Sequence, residues 1–185
     1  MRASHPALLA TGRTLAELRD SLVRQWASWL DDRSSGSPAI PRPLLERELQ
    51  VLLDILTELV GPLRREAIEI WASACEHYGR AAAARGLAAG EVVEEIQFLR
   101  ELLIRNLAGT LALMRPRQAM AIMLRLNQVL DRGIGIAVAG YTDALVAQLL
   151  AHNGVPSADN ALDPAEVERQ VAELEKRLGQ LVARN

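Results

Sequence analysis

The chain has 185 residues, half of them hydrophobic, only 3% aromatic and 24% charged. Alanine and leucine make up about a third of it, which suits packed helices and lacks the β-branched and tyrosine enrichment of sheets. Twenty-one basic against 23 acidic residues leave a net charge of −2, and Cys75 is the only cysteine, so the electrostatic footprint of a nucleic-acid binder and a disulfide framework within the chain are both excluded.

A first helix is expected from about Thr14, which can cap it with Glu17 closing a capping box. Leu15, Leu18, Leu22, Trp26, Trp29 and Leu30 mark one face. The segment DDRSSGSP reads as a loop, and Pro43 suits the first turn of a second helix. Its stripe is Leu45, Leu49, Leu52, Leu53, Leu56, Leu59 and Val60, ended by Gly61-Pro62. A third helix spans about Leu63 to Arg85, with Trp71, Ala74, Cys75, Tyr78 and Ala82 on its face and Gly86 as its stop. The fourth runs from Ala88 or Glu91 to Leu113, with Val92, Ile96, Leu99, Leu103 and Leu107 in register.

The fifth helix, about Pro116 to Ala151, is apolar on more than one side. One stripe is Ala119, Met123, Leu126, Leu130, Ile134, Ala137, Tyr141 and Leu145. A second holds Ile122, Val129, Gly133, Ile136 and Gly140, with the glycines seven apart and therefore on one side. Glycine inside a helix costs about 1 kcal/mol against alanine, so the pair implies that another helix backbone comes close. The expectation is a two-fold homodimer seam through these residues, with an internal crossing as the alternative.

The stretch 152–162 reads as a linker, and Asp163-Pro164 restarts a helix. In residues 163–185, Val167, Val171, Leu174, Leu178 and Leu181 alternate steps of four and three. That is heptad spacing, expected of a coiled-coil signalling helix; a helix folded back on the domain is the alternative. The organisation expected is therefore an all-α bundle of about five core helices over residues 10–151, a linker and a C-terminal helix. The N-terminus lacks the pattern of a secretory signal, and Asp143 and Gln148 interrupt the most apolar window short of a membrane span. A cytoplasmic protein without a membrane partner is expected.

Chemistry-bearing motifs are sparse. His5, His77 and His152 have no metal-motif spacing, Cys75 has no C-x-x-C companion, and the glycines of GIGIAVAG fall inside a helix rather than after a strand. No nucleophile stands beside a base. No enzyme, cofactor or metal is expected. His77 lies at the edge of an apolar face and is the position a haem would use, if there were one. On the fourth helix Asn106 falls close to the apolar stripe, and Arg100, between the directions of Val93 and Leu107, can serve an anion or carboxylate. With Tyr78 these form the candidate ligand contacts.

The run HYGRAAAARGLAAGEVVEEIQFLRELLIRNL (residues 77–107) resembles the RsbR-type N-terminal sensory domain. In that family a helix ending H-x-x-R-x-x-x-x-G leads into one of E-x-x-x-L-R-x-x-I/L type. Here the positions are His77, Arg80, Arg85 or Gly86, then Glu95, Leu99, Arg100, Leu103 and Leu107. The tryptophan-bearing segment LRDSLVRQWASWL and the long fifth helix also fit. The resemblance implies a globin-like fold without haem, dimeric and upstream of an output module. Relatives precede a STAS domain in stressosome stress-response proteins, or a histidine kinase or transcription regulator. It implies signal transduction through the C-terminal helix to such a module or partner. The rival readings are a haem-binding globin-type sensor and a dimeric helical adaptor without a ligand. Between Arg85 and Glu91 the chain offers GLAAG with no proximal histidine, which speaks against haem.

Overall fold

The computed structural model describes residues 5–33, 41–61, 64–152 and 164–183. Among these it holds six helices and no strand: α1 (His5–Arg33), α2 (Arg42–Val60), α3 (Arg64–Ala84), α4 (Ala89–Ala112), α5 (Pro116–His152) and α6 (Pro164–Ala183). The protein is all-α. Of the linker expected at 152–162, His152 is instead the last residue of α5, and the remainder, with the expected cap at Asp163, lies outside the described residues.

Helix α1 packs on α2, α2 on α3, α3 on α5, α5 on α4, and α4 back on α1, which closes a ring of five helices around one core. Trp29 stacks on Phe98 with centroids 4.4 Å apart, and Thr14 Oγ1 lies 3.0 Å from Thr110 Oγ1, so α1 and α4 are antiparallel. Trp71 donates to the Val129 carbonyl at 3.1 Å and Tyr141 to the Leu87 carbonyl at 2.8 Å, so α3 and α5 run the same way.

Several boundaries have visible local causes. Gly86 takes φ 77°, and Leu87 N–H returns to the Ala82 carbonyl at 3.2 Å, which ends α3 in a left-handed turn. Glu91 Oε2 accepts from Ala88 N–H at 2.7 Å and so caps α4. Arg125 donates to the carbonyls of Leu59 and Gly61 at the end of α2. The start of α1 is a correction. Thr14 is not its cap but an interior residue bonding back to Ala10 O at 3.1 Å. Ala7, Leu8 and Thr11 are buried and carry the apolar stripe upstream, so the helix begins at His5.

The second stripe of α5 is also a correction. Ile122 and Val129 are buried within the subunit, and Ile136 packs against the same core. A Cβ on Gly140 would lie 2.4 Å from the Glu76 carbonyl oxygen, and one on Gly133 2.8 Å from the Trp71 ring. From the other side, a Cβ on Gly79 would meet the Ala137 carbonyl oxygen at 1.8 Å. The glycines do mark a close backbone approach, but the helix that approaches is α3 of the same chain. The expected homodimer loses the seam on which it rested.

The C-terminal helix folds back rather than standing free, so its heptad stripe is not a seam between subunits here. Val167, Val171 and Leu174 are buried against α2 and α3, with Leu178 and Leu181 packed on the same core. The residues flanking the stripe explain the choice. On one side Glu175 accepts both Nε and Nη2 of Arg47 at 2.7 and 2.6 Å, and Glu168 lies 3.7 Å from the same guanidinium. On the other, Arg177 donates to Ser73 at 3.1 Å, and Gln170 lines the same cleft as His77. One flank is matched to α2 and the other to α3.

By length and composition α5 is long and apolar enough to cross a membrane, and only 17% of its most apolar stretch is buried. It nevertheless forms the most extensive helix pair of the bundle, with α3.

Candidate functional site

The interior holds a cluster of charged groups where α2, α3 and α4 meet. Glu48 lies on α2 between Leu45 and Leu52, so helical spacing points it into the core. Glu95 does the same on α4 between Val92 and Leu99. His77 and Tyr78 come from α3, and Arg85 follows directly after it. Glu48, His77, Arg85 and Glu95 are each no more than 7% exposed, and Tyr78 is 1% exposed.

Arg85 binds Glu95 in parallel fashion, Nη1 to Oε1 at 3.1 Å and Nη2 to Oε2 at 2.9 Å. Tyr78 donates its hydroxyl to Oε2 at 2.6 Å. The guanidinium lies 5.5 Å from the centroid of the Tyr78 ring, and Trp26 of α1 closes that side with its ring 6.0 Å away. Burial opposes the charge on Arg85, but Tyr78 and Glu95 outweigh it and its pKa rises. Burial, then the Glu95 carboxylate, push the Tyr78 phenol well above its ordinary value. Tyr78 is therefore a neutral donor at any physiological pH.

Glu48 and His77 form the second half of the cluster. Glu48 Oε1 and His77 Nε2 face each other at 3.6 Å, and neither atom has a hydrogen-bond partner. Since Glu95 already neutralises Arg85, an ionised Glu48 is surplus negative charge in the interior. Burial raises its pKa to about 7, with Arg85 opposing and Glu95 reinforcing. Burial lowers His77, against the pull of Glu166 on α6 and with Arg80 adding to the depression; Gln170 and Leu174 of α6 line the cleft beside it. His77 is thus the member of the cluster that touches the C-terminal helix.

The titration of Glu48 has a measurable consequence. With its folded-state value raised, Glu48 favours folding fully below its ordinary 4.5, and that contribution is lost as pH rises through about 7. Glu48→Gln keeps the shape and removes the charge. Its stability relative to wild type should improve by about 3 kcal/mol on going from pH 4.5 to pH 8. Urea midpoints at the two pH values read this directly. His77 makes the opposite contribution, weakening the fold as pH falls below its ordinary range; because it faces Glu48, the comparison is repeated in a His77→Gln background, which removes its titration from both proteins. An equal gap at both pH values would show that Glu48 carries no penalty when ionised.

Of the residues expected at a site, the structure brings only Tyr78 and His77 into this cluster. Arg100 lies apart on the outer side of α4 and pairs with Asp131 of α5. Asn106 donates to the Leu102 carbonyl of its own helix at 2.8 Å. The three candidate ligand contacts therefore do not converge. His77 Nε2, the atom a haem iron would take, is directed at Glu48. Cys75 is buried, and burial pushes its thiol up, away from reactivity. Sequence reasoning passed over Glu48 altogether and gave Arg85 and Glu95 no site role. The available signal was a glutamate in register with an apolar stripe, at Leu45-Glu48-Leu52 and at Val92-Glu95-Leu99. No group of three or more metal-type side chains is assembled among the described residues. No family model matches the chain, and no curated protein or solved structure is detectably similar to it.

Proposed function

We propose that the chain is a non-catalytic regulatory module of a signal-transduction protein, of the RsbR-like sensory kind, and that α6 is the element that carries its state outward. The observation supporting this reading is the way α6 sits. Its single apolar stripe and both polar flanks are occupied by α2 and α3, directly over His77. While docked, that stripe cannot pair with an output helix or a partner. Docked and released states of α6 therefore exclude each other, which is the property a relay needs. A cytoplasmic location and a globin-like relation of the core helices belong to the same proposal.

The docking is separable from the core by a charge change. Arg47 is 36% exposed and serves only α6 in the contacts it makes. In Arg47→Glu a glutamate faces Glu168 and Glu175. Hydrogen exchange across residues 164–183 should rise about tenfold or more, while exchange in α3 and α5 stays as in wild type. Combining it with Glu175→Arg should restore protection. If instead the whole domain loses protection together, α6 is an ordinary core helix and the relay reading fails.

A further inference from the structure

The α4–α5 corner lies at the end of the bundle away from the charged cluster, because α3 ends and α4 begins at the cluster. Leu113 stands at its apex with 92% of its surface exposed. Met120 at 55%, Leu124 at 49% and Ile104 at 38% continue the apolar surface down the two helices. Three exposed arginines, Arg105, Arg115 and Arg117, surround them. Arg105 pairs with Glu101 on its own helix, whereas Arg115 and Arg117 have no side-chain partner among the described residues. No Asp or Glu occurs between Glu101 and Asp131. Antiparallel packing of α1 on α4, fixed by Thr14 and Thr110, brings the start of α1 to the same end, with exposed Leu9 and Arg13. Among the described residues, the acidic side chains near this end are Glu17 on α1, the half-buried Glu58 near the end of α2, and Glu101, which is taken up by Arg105; none of them lies on the corner segment 102–130 itself. The positive end of α5 and the negative end of α4 meet at the corner and offset each other, so the arginines set its sign.

We propose that this corner is a peripheral contact for an anionic lipid surface, with Leu113 entering the interface and Arg115 and Arg117 meeting phosphate groups. Charge and shape select that occupant. A second copy of the same corner would bring like charges together. The apex is convex, so it needs a flat, yielding surface rather than a side-chain pocket. All but one of the chain's 21 basic residues are arginine, whose planar fork binds phosphate oxygens in pairs. An exposed leucine among such arginines suits the boundary between headgroups and acyl chains. This contact would be added to the all-helical fold without any helix spanning a bilayer, and it departs from the expectation that no membrane is involved.

Flotation of the full chain with phosphatidylcholine vesicles, with and without about 30% phosphatidylglycerol, tests this. Wild type should float with the anionic vesicles only, and less so as salt is raised. Arg115→Gln and Arg117→Gln should each weaken the partition about fivefold. Leu113→Ser should weaken it at unchanged charge. None of the three should alter the circular dichroism or the melting temperature, since these side chains are exposed. Absence of flotation by wild type would overturn the proposal, as would flotation indifferent to all three variants. So would sedimentation showing a wild-type dimer that Leu113→Ser converts to monomer, because a second copy would then be the occupant.

Discussion

Arg85→Met is expected to lower the stability of the domain by about 3–5 kcal/mol, the cost of breaking a buried ion pair from one side. The substitution is close to the parent in length but removes both donors to Glu95. Two carboxylates, Glu95 and Glu48, would then share an interior with no cation to match them. Tyr78 would remain as donor to Glu95 but cannot supply charge. The loss should appear as a fall in the urea midpoint with little change in slope, and it should be smaller in acid, where Glu48 is protonated. Replacing Glu95 by Gln in the same protein should recover part of the loss, because one of the stranded charges disappears. A loss below about 1 kcal/mol would mean that water reaches the cluster and screens it.

Gly79→Ala is expected to be the most damaging single-methyl substitution in the chain. Its Cβ would fall 1.8 Å from the Ala137 carbonyl oxygen and 2.7 Å from the carbonyl carbon. Neither atom can rotate aside, so α3 and α5 must separate over their most extensive contact. The expected cost is about 3 kcal/mol or more, at or beyond the upper end for an overpacked core. It would outweigh the gain of about 1 kcal/mol that alanine brings to a helix. Gly135→Ala supplies the contrast on α5. Nothing lies within 4 Å of a Cβ there, so only the helix preference remains and the variant should melt higher than wild type. Thermal denaturation of the two proteins side by side decides the matter. Similar melting temperatures would mean that the helices slide without cost.

The helices were legible because the leucine spacing is regular and the punctuation unambiguous. Pro43 in the first turn of α2, Gly86 after α3 and Pro116 at the start of α5 are residues whose backbone preferences act locally. What the pattern could not give was the identity of facing partners. Gly133 and Gly140 signal a close approach whichever helix approaches, and the reciprocal residue, Gly79, looks like any other glycine in an alanine-rich helix. The stripe of α6 has the spacing of a coiled coil, but its flanks carried the better clue. Glu168 and Glu175 lie seven residues apart along one side of it, with no basic residue placed to meet them from an identical helix, whereas Arg47 meets both. The buried cluster was hidden for a different reason. Defining a stripe by its apolar members discards Glu48 and Glu95, whose meaning depends on Arg85 and His77 from another helix.

The reciprocity between α3 and α5 also constrains how this sequence can change over generations. At most packed positions a lesion on one side can be suppressed by a smaller residue opposite, and pairs of sites drift together. Here the atoms opposing Gly79 and Gly140 are the peptide carbonyls of Ala137 and Glu76, which every amino acid carries in the same place. No second-site replacement at the facing position can make room. A screen for intragenic suppressors of Gly79→Ala should therefore return true revertants, but no compensating change at residue 137. Covariation among descendants of this chain should be correspondingly silent between positions 79 and 137, although few pairs of residues in the molecule are closer.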